Sequence, residues 1–249
     1  MTPRVSIVIP VYNEGDHVVD VLDRIIESVQ LPFEILVVYD DESDITVPVV
    51  EAYNRLEPRV RPLLNTYGSG PANAIHFGID SALAPVAVVT MSDGCDDPMQ
   101  IDQLTRLVER GVVVAAASRF ARTGQMVGGP FVKGLLSRIA GISLYHLGRV
   151  GTRDATNSFK AYSIEFIREV GIDSSQGFEI GIELVAKARR LRRPVAEIPT
   201  IWLDRTMGES NFRIWAWLPV YLRWYFSCFG PRRRVSNPVR AEMNDNRES

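Results

Sequence analysis

Three carboxylates and a cysteine stand within five positions at the end of an apolar run, in the stretch VVTMSDGCDDP at 88–98. Asp93 follows the run and precedes a glycine, so its carboxylate can face a crevice at a strand end. Carboxylate oxygens suit Mg²⁺ or Mn²⁺, and such an ion can neutralise the diphosphate of a nucleotide leaving group. Asp96 or Asp97, just before Pro98, also fits a helix N-cap followed by proline. We therefore predict a diphosphate and metal role for Asp93 and a helix start for Asp97.

The segments that must position these residues are short β-branched runs alternating with helical patterns. The runs are apolar on both faces, which is typical of parallel strands covered by helices. We predict strands at 5–9, 33–38, 60–64, 86–91, 112–117 and 195–203, and helices at 17–29, 45–56, 72–83 and 99–110. This alternation predicts a Rossmann-like α/β fold, with a mostly parallel sheet flanked by helices.

Polar residues follow four of the strands, and ligands of such sheets bind outside the carboxyl ends of the strands. These segments are PVYNE at 10–14, YDDES at 39–43, MSD at 91–93 and SR at 118–119. We expect the four ends to converge on one crevice. Neither GxGxxG nor a P-loop pattern follows the first strand, which argues against a dinucleotide-dependent dehydrogenase and a P-loop kinase.

The net charge and the cysteine content indicate which partners and which cellular compartment to expect. The formal net charge is −2 and the sequence pI is near 6.0, so no global basic field suggests nucleic acid. Cys95 and Cys228 lie far apart without a CxxC partner, which argues against a disulfide framework and a structural zinc site. A reducing cytosol is therefore the expected compartment.

The C-terminal stretch at 214–229, IWAWLPVYLRWYFSCF, has apolar residues at helical spacing and is followed by PRRR. It contains Pro219 and Arg223 and is too short to span a bilayer comfortably. We predict an amphipathic helix that either lies in the membrane interface or packs on the domain or across a homodimer. The expected units are a catalytic domain at 1–212, this helix at 213–234 and a disordered tail at 235–249.

Seven segments resemble glycosyltransferase family 2, and within it the dolichyl-phosphate mannose synthase-like polyprenyl-phosphate glycosyltransferases. They are, in chain order, SIVIPVYNE, EILVVYDDES, VTMSDGCDDP, ASRF, DATNSFKAY, GFEIGIELVAKA and EIPTIWLDRTMGES. PVYNE is shared widely across the family, whereas DATNSFKAY and DRTMGES narrow the group. The resemblance covers about residues 4–212 and implies a GT-A fold, a nucleotide-sugar donor, Mg²⁺ or Mn²⁺ and inversion at the anomeric carbon.

The resemblance implies a donor site at the strand ends. Its members there are Pro10, Tyr12, Asn13 and Glu14 at the nucleoside, Asp40 or Asp41 at the base or ribose, and Ser92 with Asp93. Further along, Arg205 and Ser210 match an R-x-x-G-x-S pattern that can close over the diphosphate. The lysine that follows this pattern in the family is Asn211 here, so Arg205 would have to supply the charge.

The family's acidic metal motif has two aspartates, and only one has a counterpart in this chain. With Asp93 and Pro98 aligned, the first aspartate falls on Met91, the second on Asp93 and a following amide on Cys95. A thiol is a poor ligand for a hard cation. We therefore expect Asp93 and Asp96 to be the metal ligands.

Basic residues would hold the phosphate of the acceptor. Arg119 matches a basic position of the family, and an arginine directly after a buried strand needs a partner. Lys133 and Arg138 are further candidates, with surface or interface roles as the equal alternative. The expected catalytic residues are Asp93, Arg119 and Arg205.

The choice of acceptor depends on whether a general base is required. A lipid phosphate is already anionic at neutral pH, whereas a hydroxyl must be deprotonated before it attacks. Glu179 and Glu183, one helical turn apart, are candidate bases, but we favour a structural role with Glu183 paired to an arginine. Asp154, Asn157 and Lys160 are expected to brace the floor of the site.

These inferences predict a metal-dependent inverting transferase that moves a sugar from a nucleotide-sugar to polyprenyl or dolichyl phosphate. GDP-mannose is the favoured donor and a UDP-sugar is the alternative. The enzyme would be peripheral at the cytosolic membrane face, with a separate membrane glycosyltransferase using its product. The rivals are transfer to a hydroxyl of a glycan or small acceptor and, because Met91 and Asn211 replace charged family residues, a non-catalytic nucleotide-sugar-binding scaffold.

Overall fold

The structure of the protein is a computed structural model that describes residues 2–128, 131–204 and 214–231, and all of their side chains except those of 131–133 and 214–216. The strands in these ranges are β1 Val5–Pro10, β2 Phe33–Tyr39, β3 Val60–Leu64, β4 Val86–Val89, β5 Val114–Ser118, β6 Gln125–Val127, β7 Lys160–Ser163, β8 Val195–Pro199 and β9 Ile201–Leu203. The helices are α1 His17–Ser28, α2 Val47–Leu56, α3 Pro71–Asp80, α4 Ile101–Glu109, α5 Phe131–Ser143, α6 Ile164–Val170, α7 Ile180–Arg190 and α8 Ile214–Ser227.

The main sheet has seven strands in the order β3-β2-β1-β4-β7-β5-β8. All neighbouring pairs are parallel except those of β7, which runs antiparallel to both β4 and β5. The prediction of a mostly parallel sheet flanked by helices is therefore confirmed. β7 was not predicted from the sequence; its first three residues end the DATNSFKAY segment.

The core consists of two apolar layers, one on each face of this sheet. On β1, Val8 packs into the layer formed with α3, α6 and α7, whereas Ile7 and Ile9 pack into the layer formed with α1 and α4. Every residue of β1 is buried because helices cover both sides. Burial of each large aliphatic side chain contributes about 1.5–3 kcal/mol, which explains the uninterrupted apolar runs in the sequence.

The strand predicted at 195–203 is wrong in one respect, because it divides into two strands of different sheets. β8 pairs with β5 in the main sheet, and β9 pairs with β6 in a separate two-stranded sheet. Thr200 lies at the division, where its N–H donates to Ser118 O at 3.1 Å and its carbonyl accepts from Gln125 N at 2.9 Å. The two hydrogen bonds turn the chain from one sheet to the other.

In the segment 213–234, where the sequence predicts an amphipathic helix, the structure has the helix α8, which packs on α7. Trp224 and Cys228 are buried against the domain, and Tyr225 Oη lies 2.9 Å from Ser143 Oγ of α5. The outward face carries an exposed apolar row made of Leu218, Leu222, Phe226 and Phe229. Among the described residues, no helix is long and apolar enough to cross a bilayer.

Candidate active site

The carboxyl ends of β1, β2, β4 and β5 lie at one edge of the main sheet, and the polar segments of the sequence follow them. Because β7 runs the opposite way, its first residue, Lys160, reaches the same edge. Lys160 lies opposite Val89 of β4 and Ala116 of β5. The antiparallel strand thus places a lysine beneath the crevice that the parallel strands form.

The acidic loop after β4 holds Asp93 and Asp96 in defined positions. Asp93 Oδ1 accepts from Cys95 N at 3.1 Å, and Thr90 Oγ1 donates to Asp96 Oδ2 at 2.9 Å. Burial raises the pKa of Asp96 to about 7, and the neighbouring negative charge of Asp93 adds to the rise. Two carboxylates whose charges repel form a site that a cation would stabilise.

The two carboxylates of this loop suit Mg²⁺ or Mn²⁺, provided that the ion is also coordinated by the diphosphate of the substrate. The described residues contain no group of three or more His, Cys, Asp or Glu side chains that would hold a metal alone. Mg²⁺ commonly binds one or two carboxylates and completes its shell with water and substrate phosphate oxygens. Asp93 and Asp96 would be the protein ligands in such an arrangement.

Asp97 has the capping role predicted from its place before Pro98. Its Oδ1 accepts from Met99 N at 3.1 Å and caps a 3₁₀ turn, Pro98–Gln100, that leads into α4. On the other side of the loop, Arg24 of α1 donates to Gly94 O at 2.8 Å. Arg24 was not predicted, because the local pattern of α1 does not indicate a contact with a residue 70 positions further along the chain.

The PVYNE segment is fixed by contacts with the loop between β2 and α2. Asn13 has a left-handed backbone, with φ at 55°, and its N–H donates to Asp44 Oδ2 at 2.8 Å. Glu14 N donates to Thr46 Oγ1 at 2.9 Å, and Glu14 Oε1 accepts from Ser92 Oγ at 3.0 Å. Asp44 and Thr46 were not among the predicted residues, although their place just before a helix is typical of side chains that bind backbone N–H groups.

The other predicted donor residues differ in how far they are already engaged. Pro10 is buried in β1, whereas Tyr12 is 63% exposed at the crevice edge. Asp40 accepts from Asn65 Nδ2 and from the backbone N–H before α3, both at 2.7 Å. Asp41 is exposed, and hydrogen bonds from Ser43 lower the pKa of its carboxyl. Asp40 therefore orders the neighbouring loop, and Tyr12 and Asp41 are accessible to a ligand.

Arg119 forms a buried ion pair with Asp154 at the end of β5. Its Nε and Nη2 lie 2.8 and 2.9 Å from the two carboxylate oxygens, and its backbone N–H donates to the same side chain at 3.0 Å. The Arg119 side chain is 13% exposed and that of Asp154 is fully buried. Because β4 and β5 end at the same edge of the sheet, Arg119 and the acidic loop lie on the same side of the domain.

Lys160 and Asn157 brace the floor of this site as predicted. The fully buried Lys160 Nζ donates to Ala155 O at 3.2 Å and to Asn157 O, and Asn157 Nδ2 donates to Ala117 O at 2.9 Å. Burial lowers the pKa of Lys160 from 10.5 to about 7, against the opposing effect of the Asp154 carboxylate. The site floor thus contains an ammonium group that is held by backbone carbonyls.

The lowered pKa of Lys160 predicts a stability that depends on pH. The folded protein releases this proton near pH 7, whereas the unfolded chain retains it to about pH 10.5. Because the unfolded state binds more protons between these values, the unfolding free energy should rise with pH there, by at most about 1.4 kcal/mol per unit. Urea unfolding of the wild type and Lys160→Met at pH 7, 8 and 9 measures the difference, and parallel pH dependences would contradict this assignment.

The two candidate bases of α7 are both engaged in the protein. Glu179 accepts from the backbone N–H groups of 176 and 177 at 3.1 and 2.7 Å. Glu183 accepts from those of 173 and 174 at 2.6 and 2.9 Å and forms an ion pair with Lys187 at 2.6 Å. The predicted pairing of Glu183 with an arginine is wrong, because the residue one turn further along the helix is a lysine. Both carboxylates are fully buried and order the loop before α7.

The remaining predicted residues lie on α5 or outside the described part of the chain. Arg138 is exposed on α5, and Lys133 lies in the first turn of the same helix, although its side chain is outside the described part. Arg205 and Ser210 lie outside the described residues, as does Asn211.

Residues 6–171 of the chain match the family model described as Glycosyl transferase family 2. The dolichol-phosphate mannosyltransferase of Pyrococcus furiosus is 29% identical over 217 residues, which cover 84% of this chain and 59% of that protein. The polyprenol monophosphomannose synthase of Mycolicibacterium smegmatis is 27% identical over 216 residues, which cover 84% of this chain and 81% of that protein. The chain thus spans less than two thirds of the length of the first relative and most of the second.

Solved structures agree on the fold at low sequence identity. Glucosyl-3-phosphoglycerate synthase from Mycobacterium tuberculosis, in complex with Mn²⁺, UDP and glucosyl-3-phosphoglycerate, superposes with a TM-score of 0.67 at 16% identity, over 93% of this chain and 81% of that one. A mannosyltransferase from Pyrobaculum calidifontis, in complex with GDP-Man and Mn²⁺, gives 0.62 at 16% identity, over 91% and 64%. The sheet topology and these likenesses define a fold of the GT-A class. Together with the family match, they show that the chain belongs to glycosyl transferase family 2.

Proposed function

We propose that this chain is an inverting, metal-dependent glycosyltransferase that moves a sugar from a nucleotide-sugar to polyprenyl phosphate. The observation that carries the proposal is that Arg119, at the end of β5, lies at the same edge of the main sheet as the acidic loop after β4 that holds Asp93 and Asp96. Two carboxylates suit a metal-bound diphosphate, and a nearby guanidinium suits the phosphate of a second substrate. The names of the two curated relatives, a dolichol-phosphate mannosyltransferase and a polyprenol monophosphomannose synthase, support this acceptor class.

The donor site would be formed by the PVYNE segment together with the β2 and β4 ends. Tyr12 and Asp41 are exposed there and can contact the nucleoside, while Ser92 is held by Glu14 next to the acidic loop. GDP-mannose is the favoured donor because both curated relatives carry mannose in their names. A UDP-sugar is the alternative, since the first structural neighbour holds UDP.

The acceptor phosphate determines the proposed mechanism. A Mg²⁺ or Mn²⁺ ion on Asp93 and Asp96 would neutralise the departing nucleoside diphosphate. Arg119 would orient the acceptor so that a phosphate oxygen bonds to the anomeric carbon on the face opposite the leaving group, which inverts that centre. The acceptor oxygen carries no proton at neutral pH, so the residues need only hold and align it.

Substitution of the two buried glutamates tests the rival hydroxyl acceptor. Glu179→Gln and Glu183→Gln should retain transfer per folded molecule, although each loses charge-assisted hydrogen bonds that are worth about 1.5–3 kcal/mol apiece. Rates are normalised to the folded fraction from urea unfolding. A collapse of the turnover number with intact folding in either variant would instead indicate a general base and a hydroxyl acceptor.

The enzyme would attach to the cytosolic face of a membrane through its exposed apolar residues. Two exposed apolar faces are available for this contact. One is the row on α8, and the other, on α5 of the catalytic domain, consists of Leu135, Leu136 and Ile139. The alternative occupant of these faces is a second copy of the chain in a homodimer. The unit at 1–212 would then perform catalysis, 213–234 would attach it, and a separate membrane glycosyltransferase would use the lipid-linked sugar.

The decisive experiment incubates the protein with polyprenyl phosphate, Mg²⁺ or Mn²⁺, and a panel of GDP- and UDP-sugars, followed by analysis for lipid-linked sugar. We expect product with GDP-mannose and loss of product on chelation of the metal. Absence of product with every donor would contradict the proposal. Tight metal-independent binding of a nucleotide-sugar without turnover would favour a scaffold instead.

A further inference from the structure

An arginine-lined cleft of about 390 Å³ opens at the amino end of β8, away from the crevice. Four arginines line it together with Val150, Gly151 and Val195, and none of the described lining residues is a carboxylate. The arginines are Arg149, Arg189, Arg192 and Arg193. Val195 is the first residue of β8, and the crevice lies beyond the last, so roughly 13 Å of strand separates the two sites. We refer to this feature as the arginine cleft.

The arginines of the cleft differ in how they are engaged. Arg193 pairs with Glu169 at 2.9 Å, and Arg189 donates to the carbonyls of Gly148 and Gly230. The exposed Arg192 side chain forms no hydrogen bond or ion pair within the described part of the chain. Guanidinium groups around one cleft repel each other unless an anion is present, and they match phosphate oxygens with two parallel hydrogen bonds.

The apolar row on α8 connects this cleft with the crevice. At the start of α8, Trp217 stacks edge-on against Phe178 at 5.6 Å, close to the loop that Glu179 orders. At its end, the row reaches Phe229, next to the glycine whose carbonyl Arg189 binds. Leu218 to Phe226 span about 12 Å along α8, and Phe229 follows just after the helix ends. If the apolar row inserts into a bilayer, lipid headgroups would lie near the crevice at the start of α8 and near the arginine cleft at its end.

We propose that the arginine cleft binds the phosphate groups of anionic phospholipids and, together with the apolar row, fixes the orientation of the enzyme on the bilayer. The inference rests on the membrane attachment within the proposed function. It adds a second phosphate site, which binds the phospholipids of the membrane and is separate from the site of the acceptor phosphate. Its consequence is a preference for anionic membranes that does not depend on donor or metal.

Vesicle sedimentation with the full chain tests this site. The vesicles contain either phosphatidylcholine alone or a mixture with phosphatidylglycerol, in about 0.1 M salt, where charges are screened beyond about 10 Å. Arg149 and Arg192 both have left-handed backbones, with φ at 55° and 57°, which asparagine tolerates well. Arg149→Asn/Arg192→Asn should therefore fold normally and bind the anionic vesicles about 25-fold more weakly, at about fivefold per arginine. Its binding to phosphatidylcholine should not change.

The matched control removes the same charge from exposed helical arginines elsewhere. Arg55→Gln/Arg106→Gln should keep the affinity of the wild type for anionic vesicles within about twofold. Equal losses in both double variants, or equal binding of the wild type to the two vesicle types, would overturn the proposal. A stabilisation of the wild type by inorganic phosphate that disappears in the cleft variant, with no preference for anionic vesicles, would assign the cleft to a soluble anion and overturn the proposal as well.

A detergent assay separates this proposal from the proposed function. The cleft variant should transfer sugar to detergent-solubilised polyprenyl phosphate at the rate of the wild type, because the cleft lies away from the crevice. A loss of that activity with intact folding would assign the cleft to substrate binding and overturn the proposal. If the wild type transfers nothing but prefers anionic vesicles through the cleft, the proposed function fails and the lipid site stands.

Discussion

Asp93→Asn should lower kcat/KM about a thousandfold with the fold intact. Removing one of two carboxylate ligands takes away several kcal/mol of stabilisation of the leaving diphosphate, and about 4 kcal/mol corresponds to a factor of a thousand. Asparagine can still accept from Cys95 N as the carboxylate does at 3.1 Å, so the loop should keep its shape. Initial rates at increasing Mn²⁺ concentrations should show a higher metal requirement as well as a lower maximum.

Asp97→Asn is the matched control, since it makes the same chemical change four positions further along the same loop. Asparagine caps a helix as well as aspartate does, so Met99 N keeps its acceptor and activity should stay within about twofold of the wild type. Comparable losses in the two variants would mean that the loop tolerates no neutral residue, and the metal role of Asp93 would lose its support. Retention of more than about a tenth of the activity in Asp93→Asn would contradict that role directly.

The sequence predicted the layered fold because its signals are local. A strand buried on both faces requires a mostly apolar, β-branched run, and β1, β2 and β4 each have one. The helix start at Asp97 was also predictable, since an N-cap followed by proline is recognised within three residues. Polar residues directly after buried strands indicated which edge of the sheet carries the site.

The sequence did not predict the parts of the site that depend on distant contacts. β7 is a strand of only four residues, and its antiparallel placement between β4 and β5, which brings Lys160 to the site edge, depends on pairing with distant strands. Arg24 reaches the acidic loop from α1, and Asp44 holds Asn13 across 31 positions. Such contacts leave no local pattern in one sequence. The partner of Arg119 was equally hidden, because Asp154 lies 35 residues further along the chain.

Substitution of Arg119 and substitution of Asp154 should have similar effects on stability but different effects on acceptor binding. Removing one partner of a buried ion pair leaves the other without its counterion, so Arg119→Gln and Asp154→Asn should each lower the unfolding free energy by about 3–5 kcal/mol. Their effects on the acceptor should differ. Loss of the guanidinium removes a charged hydrogen bond to phosphate and should raise the KM for polyprenyl phosphate at least about tenfold.

Asp154→Asn keeps the positive charge of Arg119 and removes its competitor, so phosphate should bind at least as well as in the wild type. Urea unfolding establishes that both variants are destabilised to a similar extent, and initial rates at a temperature where both are folded give the two KM values. A KM that rises only in Arg119→Gln supports contact between this arginine and the acceptor phosphate. Equal increases would mean that Arg119 serves the site through Asp154 and the loop geometry alone, since a purely structural pair is damaged equally from both sides.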